Sequence, residues 1–292
     1  MPEPGLRLPW DRFQVRGAAG GRCRRESDKT DGDERTRPTV STDELARIAL
    51  LLVAGIGAGI VGYAAGLASL VSFPVLLALG VPPLSANVTN SVALTGVTLG
   101  GVASARRELT GMRRRMLLFG GIAVGGGAAG ALLLLRLPPG VFERVVPGLV
   151  AFGSLVLLLR PWLRRWHAGR LHERHPAVLA VTAAVTVYCG YFGAAAGVLL
   201  LATFGAVLPD RLPRLAALRS VVVGAANTTA AVIFAVTGTV DWSAVLPLGV
   251  GAVLGSSLGP PVVRRLPETP LRVGVALAGL ALAVALHLGQ RG

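Results

Sequence analysis

From Ile48 to Leu288 the chain is a train of apolar runs separated by short loops, whereas Met1 to Arg47 is polar and arginine-rich. Runs of about twenty apolar residues match the hydrocarbon thickness of a bilayer. A soluble core has no use for so many in series. Only 15% of the residues are charged, against about a quarter in an ordinary soluble domain. The pattern predicts an all-α integral membrane protein that crosses the bilayer several times.

The apolar segments run approximately Ile48–Ala65, Leu70–Leu79, Leu84–Ala103, Met116–Leu135 and Val145–Leu159, then Ala177–Phe192, Val198–Leu208, Leu215–Val236, Ala244–Val262 and Leu271–Leu286. They divide into five and five. In each half the second segment is too short to span as a helix rising about 1.5 Å per residue. In each half it also follows a break of small residues, Ala65-Gly66-Leu67-Ala68-Ser69 and Gly193-Ala194-Ala195-Ala196-Gly197. Arg136-Leu137-Pro138 and Arg265-Leu266-Pro267 match again near the last segment of each half. Such self-similarity reads as an internal duplication, and paired interrupted segments point to a transporter binding site. The expected organisation is a disordered basic cytoplasmic tail over 1–44, a first transmembrane repeat over 45–160, a basic cytoplasmic loop over 161–175, and a second repeat over 176–292. Ser41 with Glu44 three residues on marks the expected first helix start.

Loop arginines then suggest a topology. Arg106, Arg107 and Arg113 to Arg115 form one cluster, and Arg160, Arg164, Arg165, Arg170 and Arg174 another. The positive-inside rule places both, with the basic tail, in the cytoplasm. That holds if the short segments dip in and return, which predicts about eight full transmembrane helices plus two short re-entrant segments. The same arrangement leaves Arg211, Arg214, Arg264 and Arg265 outside.

The net charge of +14 does not mean nucleic-acid binding, because the arginines sit in tail and loops and aromatics make up only 5% of the chain. Cys23 and Cys189 are far apart and form no CxxC pair, so neither a disulfide framework nor a thiolate metal site is indicated. Every Asp or Glu beyond Glu44 falls in or beside a loop. That excludes a paired-aspartate intramembrane protease and a buried carboxylate metal cage. The sequence lacks a GxxxxGK[ST] phosphate loop. No enzyme activity and no cofactor are expected.

Ala65 to Pro74, followed by Gly80-Val81-Pro82-Pro83 and Ala86-Asn87-Val88-Thr89-Asn90-Ser91, resembles the first repeat of the sulfite exporter TauE/SafE family. Gly190-Tyr191-Phe192-Gly193 with Ala194 to Gly197, and later Gly238-Thr239-Val240-Asp241-Trp242, resemble the second. The likeness covers nearly everything from about 46 to 288. The first break is diluted here to Ala-Gly-Leu-Ala-Ser. Leu215-Ala216-Ala217-Leu218-Arg219 stands where members often carry Asn and Lys. The resemblance implies a transporter in the cell membrane moving sulfite, sulfonates or related small anions, usually outward.

Among the residues themselves, Asn87, Ser91 and Thr95 share one helix face, with Asn90 adjacent. Polar groups in a membrane helix either join helices or face a wet cavity. Arg219 and Asn227 share a face eight residues apart; an arginine this deep either snorkels to the interface or binds an anion. The broken segments add half-helix N-termini that favour anions while asking only for small neighbours such as Ser69 and Gly197. The candidate substrate site is therefore Ser69, Asn87, Asn90, Ser91, Gly197, Arg219 and Asn227. The alternatives are a multi-pass membrane scaffold and a transporter of an unrelated small solute.

Overall fold

A computed structural model describes residues 42–163, 172–237, 240–263 and 268–289. Ser41, nearly all of the expected tail, most of the 161–175 loop, and Arg264 and Arg265 lie outside the described residues. Within them every regular element is helical: α1 (Thr42–Ala65), α2 (Ser69–Ala78), α3 (Pro83–Ala93), α4 (Thr95–Ser104), α5 (Arg113–Arg136), α6 (Pro139–Leu163), α7 (Pro176–Tyr191), α8 (Ala196–Val207), α9 (Leu212–Thr237), α10 (Trp242–Val263) and α11 (Glu268–Gly289). Segments within α1, α5, α6 and α9 are long and apolar enough to cross a membrane. Large apolar side chains such as Val53, Leu117, Val236 and Leu246 remain exposed on the outside of the bundle, as a lipid-facing surface requires.

Both short segments fold as short helices. α2 has 10 residues and α8 has 12, or about 15 and 18 Å of rise. The small-residue breaks before them are sharp turns: Gly66 and Gly193 have φ of +73° and +79°, and Ala195 sits at +63°. The single segment expected over Leu84–Ala103 is instead two helices, α3 and α4, divided at Leu94. The Ser91 hydroxyl donates to the Asn87 carbonyl and the Thr95 hydroxyl to the Ser91 carbonyl. Such back-bonding bends a helix, and here it accompanies the break.

The helices pair across the chain. α1 packs on α10, α7 on α5 and α6 on α11; Gly55 lies by Leu248 and Gly59 by Ser256, and Gly126 by Thr186 and Gly130 by Tyr191, so the first two pairs run parallel. Glycines set the closeness of these contacts. A Cβ on Gly59 would lie 2.6 Å from the Ser256 amide nitrogen, and one on Gly255 would lie 2.7 Å from the Ile56 carbonyl carbon. On the other pair, a Cβ on Gly130 would lie 2.7 Å from the Tyr191 amide nitrogen. Without a hydrophobic drive between helices in lipid, close backbone approach of this kind is what holds membrane helices together.

Two polar clusters mark opposite ends of the bundle. At one, Arg47 on α1 pairs with Asp241, just before α10, at 2.9 Å. The Arg47 end also holds Gly80 to Pro82, the link from α2 to α3. At the other, Arg115 on α5 pairs with Glu173 at 2.5 Å and with Asp210. There Arg214, at the start of α9, donates to the carbonyls of Glu108 and Thr110 at 3.3 and 2.8 Å. α9 separates the clusters, and its 26 residues rise about 39 Å.

This arrangement differs from the expected topology. The start of α1 lies at the Arg47 end, whereas the loops over 105–112, 172–175 and 208–211 gather at the Arg115 end. Tail-side helix and arginine loops therefore do not share a side. The reason is the direction of the short helices. α2 turns back the way α1 came, carrying the chain from an interior turn to the Arg47 end where α1 starts, and α8 turns back to the Arg115 end where α7 starts, so each pair enters and leaves at one end. Arg211 and Arg214, expected across from the other arginine loops, lie at the same end as them.

Candidate functional site

The two interior turns meet. A Cβ built on Gly197, at the start of α8, would lie 3.3 Å from the Gly66 carbonyl oxygen and 3.6 Å from Arg219 Cδ. One built on Gly66, just before α2, would lie 2.7 Å from Arg219 Nη1. Two helix N-termini and one guanidinium thus converge in the middle of the protein. Each helix start leaves backbone N–H groups without intrahelical acceptors and presents the positive end of its dipole.

Around this junction lies a cavity of about 400 Å³, within the range of small-molecule sites. Its walls run from Ala105, Glu108 and Pro213 at the Arg115 end inward to Asn227. Arg219 and Asn227, on one face of α9, are separated by about 12 Å of rise. The mouth is open, since Pro213 is exposed, and Arg219, Ser220 and Asn227 are all partly accessible.

Four of the seven sequence-expected residues line this space: Ser69, Gly197, Arg219 and Asn227. Asn87, Asn90 and Ser91 do not. They are buried beyond the inner end of the cavity at 1%, 1% and 7% exposure; Asn87 Nδ2 and Asn90 Oδ1 join helices, the Ser91 hydroxyl bonds within α3, and Asn87 Oδ1 has no hydrogen-bond partner among the described residues. Asn87 Nδ2 donates to the Tyr191 carbonyl at 2.9 Å, and Asn90 Oδ1 accepts from the Ser72 hydroxyl at 2.5 Å. Asn227 Nδ2 donates to the Ser91 carbonyl at 3.2 Å. These bonds tie α3 to α2, α7 and α9, and Phe73, Phe142 and Phe192 pack beside them. Toward the Arg47 end the cavity is closed by this polar and aromatic plug.

The sequence reading missed Tyr63, Thr98, Glu108, Cys189 and Ser256, which also line the cavity. Helix-face periodicity on α9 located Arg219 and Asn227, but no local pattern links α9 to the end of α1 or to the 105–112 loop. In the sequence Glu108 falls in or beside a loop. That loop folds over the cavity mouth.

A family model for the sulfite exporter TauE/SafE family matches residues 51–286. That match runs from within α1 to within α11. The chain belongs to the TauE/SafE family. It is 24% identical over 243 residues to a probable membrane transporter protein of Haemophilus influenzae, covering 83% of this chain and 95% of that protein. It is 25% identical over 236 residues to the probable membrane transporter protein YfcA of Escherichia coli K12, covering 80% and 87%. No solved structure matches at a significant level. This TauE/SafE chain is thus a multi-pass membrane protein of a transporter family, and its cavity lies where the two broken segments of the sequence converge.

Proposed function

We propose that this protein exports a small anion of the sulfite or sulfonate class across the cell membrane, binding it between the N-termini of α2 and α8 against Arg219. The observation that carries the reading is the position of Arg219. Its guanidinium abuts Gly66 and its stem abuts Gly197, at the wall of a water-reachable cavity. A snorkelling arginine would extend along its helix to the nearer interface. This one lies against the interior turns. In a low-dielectric cavity the offset of an anion's charge must come from fixed positive features, and a guanidinium with two helix ends supplies them. Ser69 and Asn227 add hydrogen-bonding groups.

The pairing of helices supports reading the chain as two homologous repeats, 45–160 and 176–292. The first helix of each half lies against the fourth of the other, α1 on α10 and α7 on α5, and the two fifth helices pack together. On this reading α1 with α2, and α7 with α8, are two hairpins that enter from opposite ends and return, while α3 with α4, α5, α6, α9, α10 and α11 cross fully. The arginine loops at the Arg115 end place that end in the cytoplasm. The cavity is then open to the cytoplasm and closed outward, the state in which an exporter loads. A scaffold has no need of an open cavity walled by an arginine.

Arg219→Gln, reconstituted in proteoliposomes, should reduce sulfite flux roughly ten- to a hundred-fold, the worth of one charge-assisted hydrogen bond of about 1.5–3 kcal/mol. Arg144→Gln, on an exposed position of α6, should leave flux unchanged. Equal flux in the two variants would remove Arg219 from the binding site.

A further inference from the structure

We infer that Glu108 forms a second, cationic subsite in the same cavity, so that the preferred solute is a small zwitterion with an ammonium group on Glu108 and its sulfonate or other oxoanion on Arg219. The inference rests on the anion reading above and narrows its substrate class.

Glu108 lines the cavity together with Arg219. Its Oε2 is buried and has no hydrogen-bond partner among the described residues. A buried carboxylate oxygen without a partner is costly, and such groups call for an explanation. The nearby arginines do not supply one. Arg214 reaches the Glu108 segment only through the backbone carbonyl, and its terminal nitrogens go to Asp210 and to the Thr110 carbonyl. Arg115 is taken by Glu173 and Asp210. The mouth of the cavity therefore presents negative charge ahead of an arginine. For a simple anion this order is repulsive at the entrance. For a solute bearing both charges it is complementary, and the site orients the solute.

Glu108 and Arg219 line one cavity of small-molecule size. The cavity of about 400 Å³ leaves room for accompanying waters.

The test uses the full-length protein in liposomes and two probes, 2-aminoethanesulfonate and ethanesulfonate, which differ in the amine alone. Wild-type protein should prefer the aminosulfonate by roughly ten- to a hundred-fold. Glu108→Gln should bring that ratio to about one while retaining ethanesulfonate flux, and Glu108→Asp should restore part of the preference. Because the ratio is read within each protein, a lower yield of a variant does not affect it, and the wild-type preference decides even where a variant fails to insert. Equal handling of both probes by wild type overturns the inference. So does an ethanesulfonate flux that depends on a sodium or proton gradient and loses that dependence in Glu108→Gln, since Glu108 would then serve a separate cation. In either case the anion site stands as long as Arg219→Gln abolishes flux of both sulfonates; if it spares both, the anion reading itself has failed.

Discussion

Replacing Gly66 by alanine separates the backbone role of the first turn from its role in holding Arg219. Gly66 has φ of +73°, where an L-residue costs about 1–2 kcal/mol. The new Cβ would also lie 2.7 Å from Arg219 Nη1 and 3.2 Å from its Cζ. Carbon contacts are comfortable at about 3.5–4.0 Å, so the guanidinium must retreat by about 1 Å. As the far end of a flexible side chain it can, and the protein still folds. Gly193→Ala is the matched control. It carries the same strain, with φ of +79°, but its Cβ would meet only the Cys189 carbonyl oxygen, at 3.1 Å. Both variants should lose about 1–2 kcal/mol of stability, a few degrees in a thermal melt in detergent. Only Gly66→Ala should also lose anion affinity, by roughly ten-fold or more, because a displaced guanidinium gives up a charge-assisted hydrogen bond. Sulfite flux against concentration in proteoliposomes reads this as a raised half-saturation value. Equal flux curves for the two alanine variants would refute the placement of Arg219 against the substrate.

Three further outcomes follow from the same geometry. Asn90→Ala removes the side-chain acceptor of the Ser72 hydroxyl at a fully buried position, leaving it the Ala68 carbonyl at 3.1 Å, and should cost about 0.5–1.5 kcal/mol of stability while leaving half-saturation unchanged; a changed half-saturation value would return Asn90 to the substrate site. Burial pushes the Asp241 carboxyl up, but hydrogen bonds from Ser243 and the Ala244 amide and the charge of Arg47 outweigh it and hold it below the usual carboxylate range. Its contribution to closing the Arg47 end is therefore present at neutral pH and disappears as pH falls through that depressed value; thermal melts of wild type should lose this increment in acid, and Asp241→Asn should show no such loss. Single cysteines at positions 47 and 113, in a Cys23→Ser, Cys189→Ser background, should be labelled by impermeant thiol reagents from opposite sides of the membrane; labelling from one side would overturn the helix directions described above.

Sequence alone determined the class of the molecule, the number of apolar segments and the shortness of α2 and α8. These follow from composition and run length, because bilayer thickness translates directly into residues per helix. Periodicity on α9 was also legible, and it singled out Arg219 and Asn227 correctly as one face. Periodicity on α3 was equally clear, yet it could not distinguish a face turned to a cavity from one turned to another helix. Asn87, Asn90 and Ser91 show this: the polar stripe is real, and its partners are Ser72 on the preceding helix and, far off in sequence, the Tyr191 carbonyl and Asn227. Loop charge likewise recorded that arginines gather on one side, but not which loops belong together. That depended on whether a short helix turns back or runs on, which the positive-φ turns at Gly66, Gly193 and Ala195 and the glycine contacts of α1 with α10 decide. Glu108 shows the limit most clearly. A loop position reads as solvated until tertiary structure folds the loop over a cavity, because burial depends on the whole chain and periodicity only on neighbours.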